Sequence, residues 1–104
     1  MKALAVTFSP EALDDIERLV DWIARKAGPE IAAGYLTRLE SYCRNLAFGS
    51  KRGQARDDVR PGLRTVGFER RITVAFTVTD DSVVILRLFY GGRDWEERLV
   101  RTRT

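Results

Sequence analysis

The stretch RPGLRTVGFERRITVAFTVTDDSVVILRLFYGGRDWEE, residues Arg60–Glu97, decides the fold. It reads as three short strands in series. Leu63–Val66 begins the first, and Gly67 marks a turn or bulge. From Glu69 to Thr79 the chain alternates. Ile72, Val74, Phe76 and Val78 fall on one face, with Arg71, Thr73, Ala75 and Thr77 on the other. Asp80-Asp81 is a two-residue hairpin connection, and Val83–Tyr90 is the return strand. On that strand Leu86 and Leu88 share one face, while Ile85, Arg87 and Phe89 share the opposite one. Gly91-Gly92 releases the chain into a charged tail over 92–104, either a short helix or an extended arm.

Upstream, Ala3–Phe8 suits a short strand. Ser9-Pro10-Glu11 then opens a helix: the serine caps, the proline suits the first helical position, and the glutamate favours the positive end of the helix dipole. Leu13, Ile16, Val20, Ile23 and Ala27 follow at spacings of three and four, which predicts one apolar stripe. Gly28-Pro29 ends this helix and starts a second, from Pro29 to about Ala47, with a stripe of Ala32, Tyr35, Leu36, Leu39, Cys43 and Leu46. Two amphipathic helices on so short a link pack as an antiparallel hairpin, and their stripes need a sheet to lie on. Residues 49–62 (GSKRGQARDDVRPG) read as a loop. The expected architecture is α+β: an N-terminal strand, then a helical hairpin on one face of a mainly antiparallel sheet of three to four strands. The other sheet face is open. Arg87 interrupts an apolar strand, so it lies at that open face or pairs with an acid, because a lone buried charge is costly.

A chain of 104 residues makes one domain, expected to span residues 1–104. At this size folding buries roughly two thirds of the surface the unfolded chain exposes, enough for a single core. No apolar run approaches the ~20 residues needed to cross a bilayer. The start, MKALAVTFSPEAL, lacks the length of a signal peptide, so a cytoplasmic protein with no membrane partner is expected. Cys43 has no partner for an intramolecular disulfide, in keeping with a reducing compartment, and its place in the helix stripe reads as a small core residue. The chain has no histidine, which excludes a Ser–His–Asp triad and a histidine-containing zinc site; no metal or cofactor is expected. Residues 1–58 carry nine basic and nine acidic side chains, whereas residues 59–104 carry nine basic and six acidic. Every base in that second part is an arginine, whose planar fork of donors suits carboxylate and phosphate. A basic sheet of this kind is expected to grip a macromolecule with its open face.

The helical segment SPEALDDIERLVDWIARKAGPEIAAGYLTRLESYCRNLA, the loop and the strand-rich segment together resemble the ParE branch of the RelE/ParE superfamily of bacterial toxins. The resemblance covers about Leu4 to Glu97. It is carried by Ser9, Ala12, Asp15, Ile16, Trp22 and Ile23 in the first helix, by Pro61–Arg64 with Phe68, and by the closing VVILRLFYGGRD. It implies the α+β fold already read, and it implies the toxin of a type II toxin–antitoxin system. Such a toxin is neutralised by a ParD-like antitoxin whose C-terminal segment wraps it; an acidic amphipathic segment would match the basic half of this chain. The ParE branch is associated with poisoning DNA gyrase without catalysis of its own, and the arginines permit an indirect contact with DNA.

The RelE branch instead cuts messenger RNA on the ribosome. For that chemistry Arg64, Arg87 and Tyr90 are the candidate catalytic residues, but an acid/base partner is poorly supplied: an unperturbed tyrosine has a pKa near 10. The ParE reading implies target contacts by Arg64, Arg71, Arg87, Tyr90, Arg93 and Trp95, and antitoxin contacts by Trp22, Tyr35, Arg71 and Arg87. Each has a structural alternative. Arg64 pairs Asp57 or Asp58; Arg87 pairs an acid across the sheet; Tyr90 packs on the helices; Trp95 covers the core edge; Trp22 and Tyr35 belong to the core. A third reading is a non-toxic remnant that only binds its antitoxin.

Overall fold

Ser9 decides where the first strand stops and the first helix starts. In the computed structural model, which describes residues 4–49 and 52–90, β1 (Ala5–Phe8) ends immediately before it and α1 (Pro10–Ala27) begins immediately after. The Ser9 hydroxyl accepts from the Ala12 amide (3.0 Å), and Pro10 takes the first helical position, as the sequence predicts. Gly28 is at once the end of α1 and the start of α2 (Pro29–Arg44). Its φ of 101° lies where only glycine sits without strain, which is how one residue reverses the chain between two helices. The last turn tightens into a 3₁₀ segment over Asn45–Phe48.

The described residues form one five-stranded sheet in the order β1-β5-β4-β3-β2, where β2 is Gln54–Ala55, β3 Leu63–Phe68, β4 Ile72–Val78 and β5 Ser82–Tyr90. β1 runs parallel to β5; the other pairings are antiparallel. This is the expected α+β arrangement, with β2 added at the far edge from within the stretch read as loop. The Asp80-Asp81 connection is as expected, with the Thr79 amide donating to the Ser82 carbonyl (2.8 Å). The β3–β4 turn differs. Gly67 lies inside β3 opposite Thr73, and the reversal falls on Glu69 and Arg70, both in the left-handed region (φ 49° and 62°).

The core lies between the helices and one sheet face. Ala12, Leu19, Ile23, Ala32, Leu39, Cys43 and Leu46 meet Val66, Phe68, Ile72, Val74, Phe76, Val83, Ile85 and Leu88. The buried stripe of α1 is rotated from the predicted one: Leu13 is 56% exposed, and Ala12 and Leu19 face inward instead. Burial pushes the Cys43 thiol up to about 12, so it behaves as core. β5 also departs from simple alternation. Ala75 pairs with Arg87 but Phe76 pairs with Ile85, so Leu86 is an extra residue, a β-bulge. The bulge resets the faces. Val83, Ile85 and Leu88 look toward the helices, whereas Leu86 and Phe89 join Leu63, Ala75 and Val59 in a second apolar cluster on the opposite face. That face is therefore not the open, arginine-covered surface the alternation predicts.

Candidate functional site

The bulge falls where β5 loses its neighbour. β1 pairs with β5 only as far as Phe8 opposite Ile85, so the edge of β5 beyond that point needs other partners. Two residues of the strand–helix junction supply them. The Ser9 amide donates to the Ile85 carbonyl (2.9 Å), and the Ser9 hydroxyl donates to the Leu86 carbonyl (2.7 Å). Asp15, one turn into α1, accepts from the Leu88 amide (2.9 Å). The same carboxylate accepts from Arg87 Nε (2.7 Å) and Nη2 (3.0 Å), with both side chains 12% exposed. Arg87 also lies over the Phe89 ring at 5.0 Å. The Asp15 carboxylate holds the Arg87 guanidinium yet more firmly protonated than usual.

Past this clamp, α1 and the end of the sheet diverge and leave a cleft of about 310 Å³, lined by Asp15, Arg18, Leu19, Trp22, Ile72, Leu88 and Tyr90. Its floor follows from register. Leu88 lies opposite Val74, and Tyr90 opposite Ile72, which lies opposite Phe68; these residues face the helices. Trp22 and Tyr90 meet at 5.1 Å between ring centres, yet remain 39% and 42% exposed. Large aromatics that stay this open beside an apolar cleft mark a surface built for contact. Arg71 Nη1 donates to the Tyr90 hydroxyl (3.1 Å). Across Phe68, Tyr35 of α2 packs edge-on at 5.5 Å, and its hydroxyl is buried with no hydrogen-bond partner among the described residues. Burial raises the Tyr35 pKa above its ordinary value. Arg38 completes this end by a two-pronged pair with Glu69 (2.8 and 3.2 Å), whose hydrogen bond holds the Glu69 carboxyl below the usual range.

Of the residues singled out in the sequence, the fold gathers Trp22, Tyr35, Arg71 and Tyr90 around one end of the cleft, with Arg87 clamped near its other end. Arg64 is elsewhere. It lies opposite Phe76 on the helix-facing side of β3, and its guanidinium donates to the carbonyls of Arg52 (3.2 Å) and Gly53 (3.5 Å) instead of pairing Asp57 or Asp58 in those contacts. Asp57 accepts from the Gly62 amide, and Asp58 is held by Arg56. Arg93 and Trp95 lie outside the described residues. Among the described residues no cluster of three or more Cys, Asp or Glu side chains is placed to hold a metal ion, and no helix is long and apolar enough to cross a membrane. Sequence reasoning missed Asp15, Arg18, Leu19, Ile72 and Leu88 as lining residues, and Arg38 and Glu69 as a brace. Asp15 alone carried a signal, as an acid within the run Ala12, Asp15, Leu19, Ile23 that makes the buried side of α1.

Residues 6–95 match the family described as the ParE toxin of type II toxin-antitoxin systems, parDE. Toxin ParE3 of Caulobacter vibrioides is 32% identical over 77 residues, which cover 74% of this chain and 76% of that relative. The fold is similar to a chain of the solved chromosomal ParDE TA system from P. aeruginosa, with a TM-score of 0.74 at 24% identity, over 85% of this chain and 96% of that one. With the family match spanning the helical hairpin, the sheet and the cleft between them, this chain belongs to the ParE toxin family of type II toxin–antitoxin systems.

Proposed function

We propose that this ParE-family protein acts in the cytoplasm as a poison of DNA gyrase, has no catalysis of its own, and is neutralised by a ParD-like antitoxin. The observation that carries the non-catalytic part is the scatter of Arg64, Arg87 and Tyr90. An RNA-cleaving site needs its phosphate clamp and its proton donor within a few ångströms of one bond. Arg64 lies four residues along β3 from Phe68, and Phe68 and Tyr90 sit two strands apart in register. Strand geometry therefore separates the Arg64 and Tyr90 backbones by about 16 Å. Arg87 reaches neither, because its guanidinium is engaged by Asp15. Gyrase and the ParD-like partner are supported by family membership. The exposed aromatics and apolar floor of the cleft support a protein partner there.

Regulated expression without antitoxin tests the reading. The expected result is filamentation with accumulation of gyrase-linked DNA breaks, while transcripts on translating ribosomes stay intact. Rapid translation arrest with cut transcripts and intact DNA would transfer the protein to the ribonuclease reading. Normal growth at confirmed expression would reduce it to an antitoxin-binding remnant.

A further inference from the structure

Among the described residues, an unsatisfied buried hydroxyl and an arginine with no carboxylate partner lie close enough to act on each other, Tyr35 and Arg71. The Tyr35 hydroxyl is buried with no hydrogen-bond partner among the described residues, which is costly to keep. Among the described residues Arg71, immediately before β4, has the Tyr90 hydroxyl as its hydrogen-bond partner and no carboxylate. Most charged residues nearby are already matched: Arg38 with Glu69, Arg18 with Asp14, Arg87 with Asp15. Tyr90 accepts from Arg71, so its own proton remains to be donated. The three side chains meet at the row Phe68, Ile72, Tyr90 at the end of the sheet: Tyr90 belongs to it, Arg71 immediately precedes Ile72, and Tyr35 packs on Phe68 from α2, with Trp22 on Tyr90 from α1.

We infer that Tyr35, Arg71 and Tyr90 form a carboxylate-binding subsite at the mouth of the cleft, occupied by an acidic side chain of a bound protein segment whose neighbouring apolar side chain enters between Trp22 and Leu88. The inference rests on the antitoxin reading for the source of that segment. The chemistry of the site selects a carboxylate. The subsite supplies one guanidinium and two neutral hydroxyls, with the Glu69 carboxylate close enough to act on Tyr35, so its field suits a single negative charge better than a string of phosphates. Tyr35 is protonated at neutral pH, as a tyrosine ordinarily is, and burial shifts it further in the same direction, so its hydroxyl is a donor. The cleft itself is at the small end for a ligand pocket, about 310 Å³, and most of its lining is apolar, which suits one bulky side chain as an anchor.

The test uses the full chain and the antitoxin encoded beside it. Titration calorimetry compares wild type with Tyr35→Phe, Arg71→Met, the double variant, and Arg25→Met as an exposed control on the last turn of α1. Each subsite variant is expected to weaken binding about tenfold, as for one hydrogen bond to a charged group. The double variant loses less than the product, because both donors act on one carboxylate, and Arg25→Met binds as wild type. Tyr35→Phe is expected to melt no lower than wild type, since the hydroxyl it removes has no partner among the described residues. Equal affinities for wild type and both single variants would overturn the subsite and leave the antitoxin reading standing.

If the antitoxin does not bind wild type, that reading fails by itself, and a second probe decides the subsite. N-acetyl-leucinate added to labelled protein is expected to shift the Trp22 indole and Arg71 Nε resonances, and N-acetyl-leucinamide is not. Identical responses to the two compounds, or no response to either, would overturn the proposal. So would a single-stranded DNA 12-mer that moves the same resonances at lower concentration than the leucinate.

Discussion

Asp15 accepts three hydrogen bonds on the sheet-facing side of α1: two from Arg87 and one from the Leu88 amide. That arrangement sets what Arg87 can be used for. Truncating it leaves a mostly buried carboxylate without its counter-charge, and such losses run to about 3 kcal/mol. For a chain of this length that corresponds to a fall of roughly 10–15 °C in Tm. Arg87→Ala is therefore expected to melt about that much lower, Asp15→Ala to do likewise, and the double variant to lose clearly less than the sum. Calorimetric melting of the three variants checks this; an Arg87→Ala protein that melts like wild type would remove the clamp from the account. It follows that any loss of toxicity in Arg87→Ala has to be read beside its melting temperature. The need for an acid near Arg87 was legible from one charge in an apolar strand. Its identity was not, because Asp15 is 72 residues away along the chain and its place on the buried side of α1 does not say which strand residue it meets.

At the scale of elements, local chemistry was a good guide where it acts over a few residues. Ser9-Pro10, Gly28-Pro29 and Asp80-Asp81 each mark a boundary that the structure keeps. It failed where no residue type advertises the event. The bulge at Leu86 closes the run VVIL (Val83–Leu86), so uniformly apolar that one extra residue leaves no trace in the pattern. The β3–β4 turn uses Glu69 and Arg70 in the left-handed region, although Gly67 two residues earlier is the more obvious candidate. Left-handed non-glycine residues carry a strain cost of about 1–2 kcal/mol, against which glycine loses some chain entropy. Arg70→Gly is therefore expected to stabilise the protein by about 0.5–1 kcal/mol, seen as a higher denaturation midpoint at unchanged slope. An unchanged or lower midpoint would mean that the Arg70 side chain contributes more than its backbone costs. The two-residue β2 was invisible for a simpler reason: Gln54 and Ala55 are exposed and polar or small, and only pairing with β3 makes them a strand.

Across the whole molecule, the Arg38–Glu69 pair ties α2 to the β3–β4 turn and so fixes how the helical hairpin sits over the cleft end of the sheet. Glu69 has its carboxyl pKa lowered in the folded state, chiefly by the Arg38 hydrogen bond. A depressed carboxylate contributes stability at neutral pH, above its unfolded pKa, and loses it as pH falls through the folded one. Glu69→Gln is accordingly expected to be less stable than wild type at pH 7, with the gap narrower at pH 3, below the ordinary glutamate pKa of about 4.3. Urea denaturation at the two pH values checks it, and a gap that persists in acid would assign the loss to packing instead of charge. By itself the sequence determined the elements, their order and the class of fold, because caps, breakers and apolar periodicity act within a turn or two of the chain. It also carried the family likeness. Only the tertiary structure decided that Arg64 turns to loop carbonyls, that Arg87 is bound to Asp15, and that Trp22, Tyr35, Arg71 and Tyr90 share one end of a cleft. Those outcomes depend on strand register and on a single bulge, which are set by contacts between residues far apart in sequence and leave no periodic mark along it.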